Sequence, residues 1–232
     1  MNQVNGPDPI IRQQYQDNGF TFSQKLLNHN EAIELLELLQ PALDGKLGHV
    51  GFGEKGNKER KYGRQQQIAI LENGLVPKLT EHPYRNRAQQ LAEYLTGYSL
   101  RFAYGQVVSK PPHYNARVQW HQDGYYWQKS HRASELGISC WVALTDSHFE
   151  SGAVGYVMES HRTGINPHMD AVGNYEFHSA FEVSDPSPNN VVYAHLAPGD
   201  AAFHHSLCIH GSSGNRTAKP RIGIVSHFFP IE

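Results

Sequence analysis

From about residue 100 onward the chain is a succession of short apolar runs separated by turn residues, and this pattern narrows its fold most. RFAYGQVVSK, RVQWHQ, GISCWVALTD, AVGYVME, VVYAHLA, DAAFHHSLCIH and RIGIVSHFF each have the length and the β-branched or aromatic content of a strand. Turn signals fall between them at Lys110-Pro111-Pro112, Glu150-Ser151-Gly152, Pro186-Ser187-Pro188-Asn189 and Pro198-Gly199-Asp200. Helices do not alternate with these strands, which argues against a parallel doubly wound sheet. Many short strands at this spacing predict a jelly roll or barrel.

Residues 8–100 read differently, as largely helical. HNEAIELLELLQPAL sets Ile33, Leu35, Leu36, Leu38 and Leu39 on a broad apolar stripe, with His29 or Asn30 at its start. YRNRAQQLAEYLTG repeats the pattern through Ala88, Leu91, Ala92 and Leu95 and stops at Gly97. Between them, residues 44–64 carry five glycines from Gly45 to Gly56 and six basic residues, Lys46, Lys55, Lys58, Arg60, Lys61 and Arg64. Gly51 to Gly56 matches G-x-G-x-x-G, but no apolar strand precedes it and no helix follows closely, so it is not a dinucleotide fingerprint. The stretch is either a solvated loop or a lid whose cations meet an anionic substrate. The expected organisation is a single domain over 1–232, with 1–98 as helical support and loop and 99–232 as the core.

Composition removes several function classes. A formal net charge of -2 gives no global attraction to nucleic acid or an anionic membrane. No run approaches the length of a membrane span, and MNQVNGPDPIIRQQYQDNGF lacks the basic start and apolar stretch of a secretory signal. Cys140 and Cys208 sit in apolar runs and read as reduced core thiols of a cytoplasmic protein. The sequon Asn215-Arg216-Thr217 is then unused.

Fifteen histidines make any single one uninformative. Spacing singles out His121 and Asp123, in RVQWHQDGYYW. Residues two apart in a strand share a face, so an imidazole and a carboxylate would meet at one point. A polar strand face is the plainer alternative, but inward polar groups beside Trp120 and Tyr125 would then need other partners. A second imidazole would complete a two-His, one-carboxylate face, which leaves three positions open on Fe(II). His204, His205 and His210 are all candidates by spacing, and the turn-forming GSSGN after His210 favours that residue. Arg221, eleven residues beyond His210, could hold a dicarboxylate bidentately, with Arg216 and Lys219 as nearby competitors.

Taken together these segments resemble the phytanoyl-CoA dioxygenase family of Fe(II)/2-oxoglutarate oxygenases. KPP at 110–112, HQD, SCWVALTD, SGAVGYVMESHRTG, LAPGDAAF and HGSSGN followed by an arginine and HF occur in that order. YQDNGFTFSQKLLNHNEAIELLELL is similar to the family's opening helices. The chain departs from the family at Met158-Glu159-Ser160-His161, where Pro-Gly-Ser-His is frequent, and at Ser151-Gly152, where Asn-Gly is. The resemblance implies a double-stranded β-helix with iron at one open end. It implies His121, Asp123 and His210 as metal ligands and Arg221 as the 2-oxoglutarate clamp. It places Ser212 and Trp141 near the cosubstrate, and Gln106 less securely, although a core tryptophan explains Trp141 equally well. O2 is then the oxidant, and succinate and CO2 leave. Related halogenases have Gly or Ala at the carboxylate position, so Asp123 points to hydroxylation or another oxygen-derived outcome.

Tyr125, Tyr126 and Trp127 follow Asp123 directly, and His113 and Tyr114 come from the preceding loop. They form an aromatic wall suited to a small apolar or cyclic substrate, although aromatic residues also simply pack. Two other classes compete with the oxygenase: a Zn2+ isomerase or hydrolase on the same barrel, with no need of Arg221, and a low-turnover metal sensor.

Overall fold

The computed structural model describes residues 8–44, 66–70, 78–115, 117–128, 131–170, 181–183 and 190–231. Residues 45–64 of the expected loop or lid, and the turn at 186–189, lie outside these.

The helices form where caps and stripes direct them. α1 (Pro9–Asn18) begins with Asp8 accepting the Ile10 N–H and ends at Gly19, whose φ of 84° suits a residue without a Cβ. α2 (His29–Leu43) is capped one residue earlier than expected. The Asn28 side chain accepts the Glu31 N–H at 3.0 Å, and the Glu31 carboxylate accepts the Asn28 N–H at 2.8 Å. This reciprocal box satisfies two otherwise free donors, which neither His29 nor Asn30 does. α3 (Tyr84–Thr96) stops at Gly97 as the pattern predicts.

The strands build two antiparallel sheets. In the larger, the order is β1 (Phe20–Ser23), β10 (Ala201–His205), β5 (Ile138–Ala143), β12 (Arg221–Pro230), β3 (Leu100–Lys110), β2 (Gln66–Ile70). In the smaller it is β4 (Val118–His121), β11 (His210–Ser212), β6 (Val154–Val157), β9 (Val191–Tyr193). β7 (His168–Asp170) and β8 (Phe181–Val183) form a separate pair. Two short helices, α4 (Asp123–Tyr126) and α5 (His131–Leu136), join β4 to β5. The architecture is the expected double-stranded β-helix.

Two sequence readings need correction here. β1 lies in the stretch read as helical; at four residues it is too short to show a period. The run DAAFHHSLCIH is two strands, not one. β10 ends at His205, a turn closed by Cys208 N–H to the His205 carbonyl follows, and His210 opens β11 in the other sheet.

Both faces of the central strands β10, β5 and β12 are largely buried. Ile138, Cys140, Val142, Phe203, Ile224 and Phe228 face outward and pack with Leu35, Leu39, Leu91 and Leu95 of the helices. Trp141, Ala143, Ala202 and Val225 face inward and meet Tyr156 from the small sheet. Cys140 and Cys208 are free thiols in these cores.

Candidate metal and cosubstrate site

His121 and His210 are direct Cα partners across β4 and β11, which sets their rings 4.2 Å apart. The two are oriented alike. His121 Nδ1 lies 2.8 Å from the Gln119 carbonyl and His210 Nδ1 3.0 Å from the Cys208 carbonyl. Each Nδ1–H donates to backbone, which turns the Nε2 lone pair toward the same point. Asp123 Oδ1 is 3.7 Å from one Nε2 and 3.8 Å from the other. The three ligand atoms all lie within 4.8 Å of one another.

The route to this geometry differs from the strand argument. β4 ends at His121, and Asp123 is the first residue of α4. Gln122 between them keeps an extended backbone (φ −117°, ψ 129°), so alternation carries one residue past the strand. The fully buried Gln122 side chain points elsewhere. Its amide donates to the Gly164 and Leu207 carbonyls at 2.9 and 2.6 Å and accepts the Asn166 N–H at 2.7 Å.

Three residues outside the expected ligand set surround the second oxygen of Asp123. Ser139 Oγ donates to Oδ2 at 2.6 Å and His204 Nε2 lies 3.1 Å from it. His227 Nδ1 stands 2.8 Å from Ser139 Oγ and 3.7 Å from Oδ2. His204, Ser139 and His227 are register partners on β10, β5 and β12, so they form one inward row. The available signal was an isolated polar residue inside an otherwise apolar run, clearest at Ser139 of β5. His204 is thus a buried wall residue. His205 faces the opposite way, toward Tyr15 and His161.

Burial by itself would raise the Asp123 carboxyl. The neighbouring imidazoles of His210 and His121 and the hydrogen bond from His204 outweigh it and hold the group well below the usual carboxylate range. Burial, followed by the neighbouring His204 and His121, pushes His210 well below the usual imidazole value. An ionised carboxylate and a neutral imidazole are the protonation states that metal ligation needs. Two nitrogens and one oxygen converging from one side fit Fe(II) with open positions.

Arg221 opens β12 opposite Lys110 and is 1% exposed. Its Nη2 donates to the Gly152 carbonyl at 2.7 Å, and its guanidinium lies 5.2 Å from the Trp141 ring centroid. The indole fits because residue 223 is glycine; a Cβ there would come within 2.2 Å of it. Nε is buried without a partner, and no carboxylate pairs with Arg221 among the described residues. Burial lowers its pKa to about 10, which still leaves it charged at neutral pH. Ser212 and Gln106 are both buried, and Gln106 is on the register row of Trp141 and Val225. Lys110 is fully buried and donates to the Ser212 and Ser213 carbonyls. Of the competing cations, Arg216 is exposed and 3.6 Å from Glu150, and Lys219 is exposed. Asn215 of the sequon is buried and donates to the Lys110 and Lys219 carbonyls.

The aromatic residues separate. Tyr126 is 46% exposed and meets His121 edge-on at 5.9 Å. Tyr125 stacks on His168 at 4.0 Å, and His168 accepts the Gln122 N–H at 3.2 Å. Trp127 turns inward: its Nε1 donates to the Tyr104 hydroxyl at 2.8 Å, and its ring packs on His227 and Phe229. His113, at φ 53°, and Tyr114 are tied by backbone bonds to Thr217 and Asn215, in the turn that leads to Arg221.

A double-stranded β-helix with a His-Asp-His face, and a buried arginine without an acidic partner among the described residues, defines the class: a jelly-roll protein with a candidate site for a divalent metal. The family follows from comparison. Residues 15–223 match the profile described as Phytanoyl-CoA dioxygenase (PhyH), and the chain belongs to that family. Peroxisomal phytanoyl-CoA dioxygenase of Mus musculus is 29% identical over 143 residues, 59% of this chain and 41% of that protein. The Homo sapiens protein is 28% identical over 144 residues, with the same shares. The matched segment thus spans less than half the length of these curated relatives. EvdO2 from Micromonospora carbonacea var. aurantiaca, solved in complex with 2-oxoglutarate, is similar with a TM-score of 0.79 and 27% identity. That similarity covers 100% of this chain and 94% of EvdO2.

Proposed function

We propose that this chain is an Fe(II)- and 2-oxoglutarate-dependent dioxygenase that hydroxylates or otherwise oxidises a small organic substrate, with succinate and CO2 as coproducts. The observation that carries the reading is the pairing of a His-Asp-His face with Arg221, a buried cation that lacks an acidic partner among the described residues. An unpaired buried charge is costly, and a carboxylate ligand relieves that cost.

His121, Asp123 and His210 would hold Fe(II), and bound iron with 2-oxoglutarate supplies the activation of O2. The rest is done by the chain. Backbone carbonyls fix both imidazole tautomers, while Ser139 and His204 occupy Oδ2 and leave Oδ1 as the atom that would ligate. Arg221 receives the distal carboxylate, with Trp141 under its guanidinium and Ser212 and Gln106 as neighbouring polar groups. Tyr126 and the Tyr125–His168 stack border the metal and offer an aromatic wall to substrate. Trp127, turned inward, is not part of that wall, and His113 and Tyr114 would act from the Arg221 end.

The test is anaerobic titration of the Fe(II) protein with 2-oxoglutarate, followed by screening small molecules for substrate-dependent succinate release and an added oxygen by mass spectrometry. A visible metal-to-ligand charge-transfer band is expected on titration. If 2-oxoglutarate does not bind, the oxygenase reading is wrong and a hydrolase or isomerase reading takes its place. Neither nucleic acid nor membrane is expected as a partner; net charge is -2, and no helix among the described residues is long and apolar enough to cross a membrane.

A further inference from the structure

We infer that the Tyr156 hydroxyl is a second donor to the distal carboxylate of 2-oxoglutarate, acting beside Arg221; this rests on the reading of the site given above. Tyr156 lies on β6 directly opposite His210 and is fully buried. Its ring stacks on Phe20 at 5.1 Å and lies 6.1 Å from the His210 ring at 27°. It belongs to the inner cluster that contains Trp141, the ring against which Arg221 rests.

The ring is well packed, but the hydroxyl is not satisfied. Tyr156 Oη has no hydrogen-bond partner among the described residues, and neither has Arg221 Nε. A buried hydroxyl without a partner is destabilising, and phenylalanine would fill the same space without that cost. Tyr15 and Tyr84 also have unpaired hydroxyls, but both lie in the outer cluster against the helices, away from the site. Only Tyr156 of the three lies between the two sheets. Burial there keeps the phenol protonated. A neutral O–H in the cluster around Trp141 and an unpaired guanidinium N–H set on the same indole are complementary to the two oxygens of a carboxylate.

Tyr156→Phe tests this, because it removes one oxygen and keeps the ring. In the anaerobic Fe(II) protein, 2-oxoglutarate should bind about 10-fold or more weakly. Fe(II) affinity without cosubstrate should not change. Affinity for 2-oxopentanoate, which has the same carbon chain but no distal carboxylate, should not change either. The metal-free variant should melt roughly 2–4 °C higher, since an unpaired buried donor is gone. Equal 2-oxoglutarate affinity in the two proteins would overturn the inference while leaving the site reading intact. An equal loss for 2-oxopentanoate would also overturn it, by placing the phenol at the chelating end. If the wild-type protein does not bind 2-oxoglutarate, the site reading itself fails and this inference fails with it.

Discussion

The two faces of β5 divide the molecule. Ile138, Cys140 and Val142 face the helices, and Ser139, Trp141 and Ala143 face the space between the sheets. All six are buried, so burial alone does not distinguish the faces. Their partners do. The outer face meets leucines, while the inner row continues through His204, Ser139 and His227 to Asp123. An apolar face gains stability from every residue it covers. A polar face in the same position loses the solvation of its groups, and hydrogen bonds only partly restore it. The outer face is therefore a core, and the inner face is a site held in place by that core.

Removing a metal ligand gives the largest break between the two faces. Asp123→Ala or His210→Ala should abolish Fe(II)-dependent turnover, while the metal-free protein melts within about 5 °C of wild type. Circular dichroism melting and a succinate assay check both halves. If His204→Ala lost metal binding and His210→Ala kept it, the third ligand would be misassigned.

The reverse break comes from the outer face. Leu35 is fully buried in α2, and Leu35→Ala should cost about 2–5 kcal/mol of stability. The fraction that remains folded should bind 2-oxoglutarate as the wild type does. A denaturant titration paired with a binding isotherm separates the two effects.

Arg221→Ala acts on the inner face alone. Losing one side of a buried charge pair costs about 2–5 kcal/mol, so 2-oxoglutarate should bind about 30-fold or more weakly. Fe(II) affinity should hold, and Arg221→Lys should recover only part of the loss because it lacks the planar fork. Anaerobic titration is the measurement; unchanged affinity would redirect attention to Lys110 and the exposed Arg216.

The smallest effect concerns a polar residue on the outer face. Burial, with His161 and His204 nearby, pushes His205 down to about 4. Its Nδ1 accepts the Leu207 N–H at 3.1 Å, so the folded state prefers the neutral ring. The unfolded chain binds this proton near pH ~6.5 and the folded chain only near 4. Stability should therefore be unaffected above that window and fall as pH drops through it, by up to about 1.4 kcal/mol per pH unit. His205→Gln should flatten this part of the stability–pH curve. An unchanged slope would mean that His205 does not contribute.

The sequence by itself determined the elements whose signal is local. α2 and α3 follow from apolar stripes, the stop at Gly97 from a residue that tolerates positive φ, and the long strands from apolar, β-branched and aromatic runs between turn signals. His121 and Asp123 were legible together because one extended residue joins them. β1, β2, β7 and β8 were not, since three to five residues carry too little periodicity to stand out. The Asn28 cap was missed by one position, because several polar residues there could serve and only the paired bonds with Glu31 choose among them. Among His204, His205 and His210 the turn after His210 and the family resemblance favoured that residue, but only the tertiary structure shows which one meets His121. Spacing along the chain says nothing about which strand lies opposite, whereas the hydrogen-bonded register of β11 on β4 puts His210 there. The same holds for the cradle around Asp123 and for Tyr156 opposite His210. Their residues come from separate strands, and they share a site only because two sheets close face to face and their inward side chains have nowhere else to go.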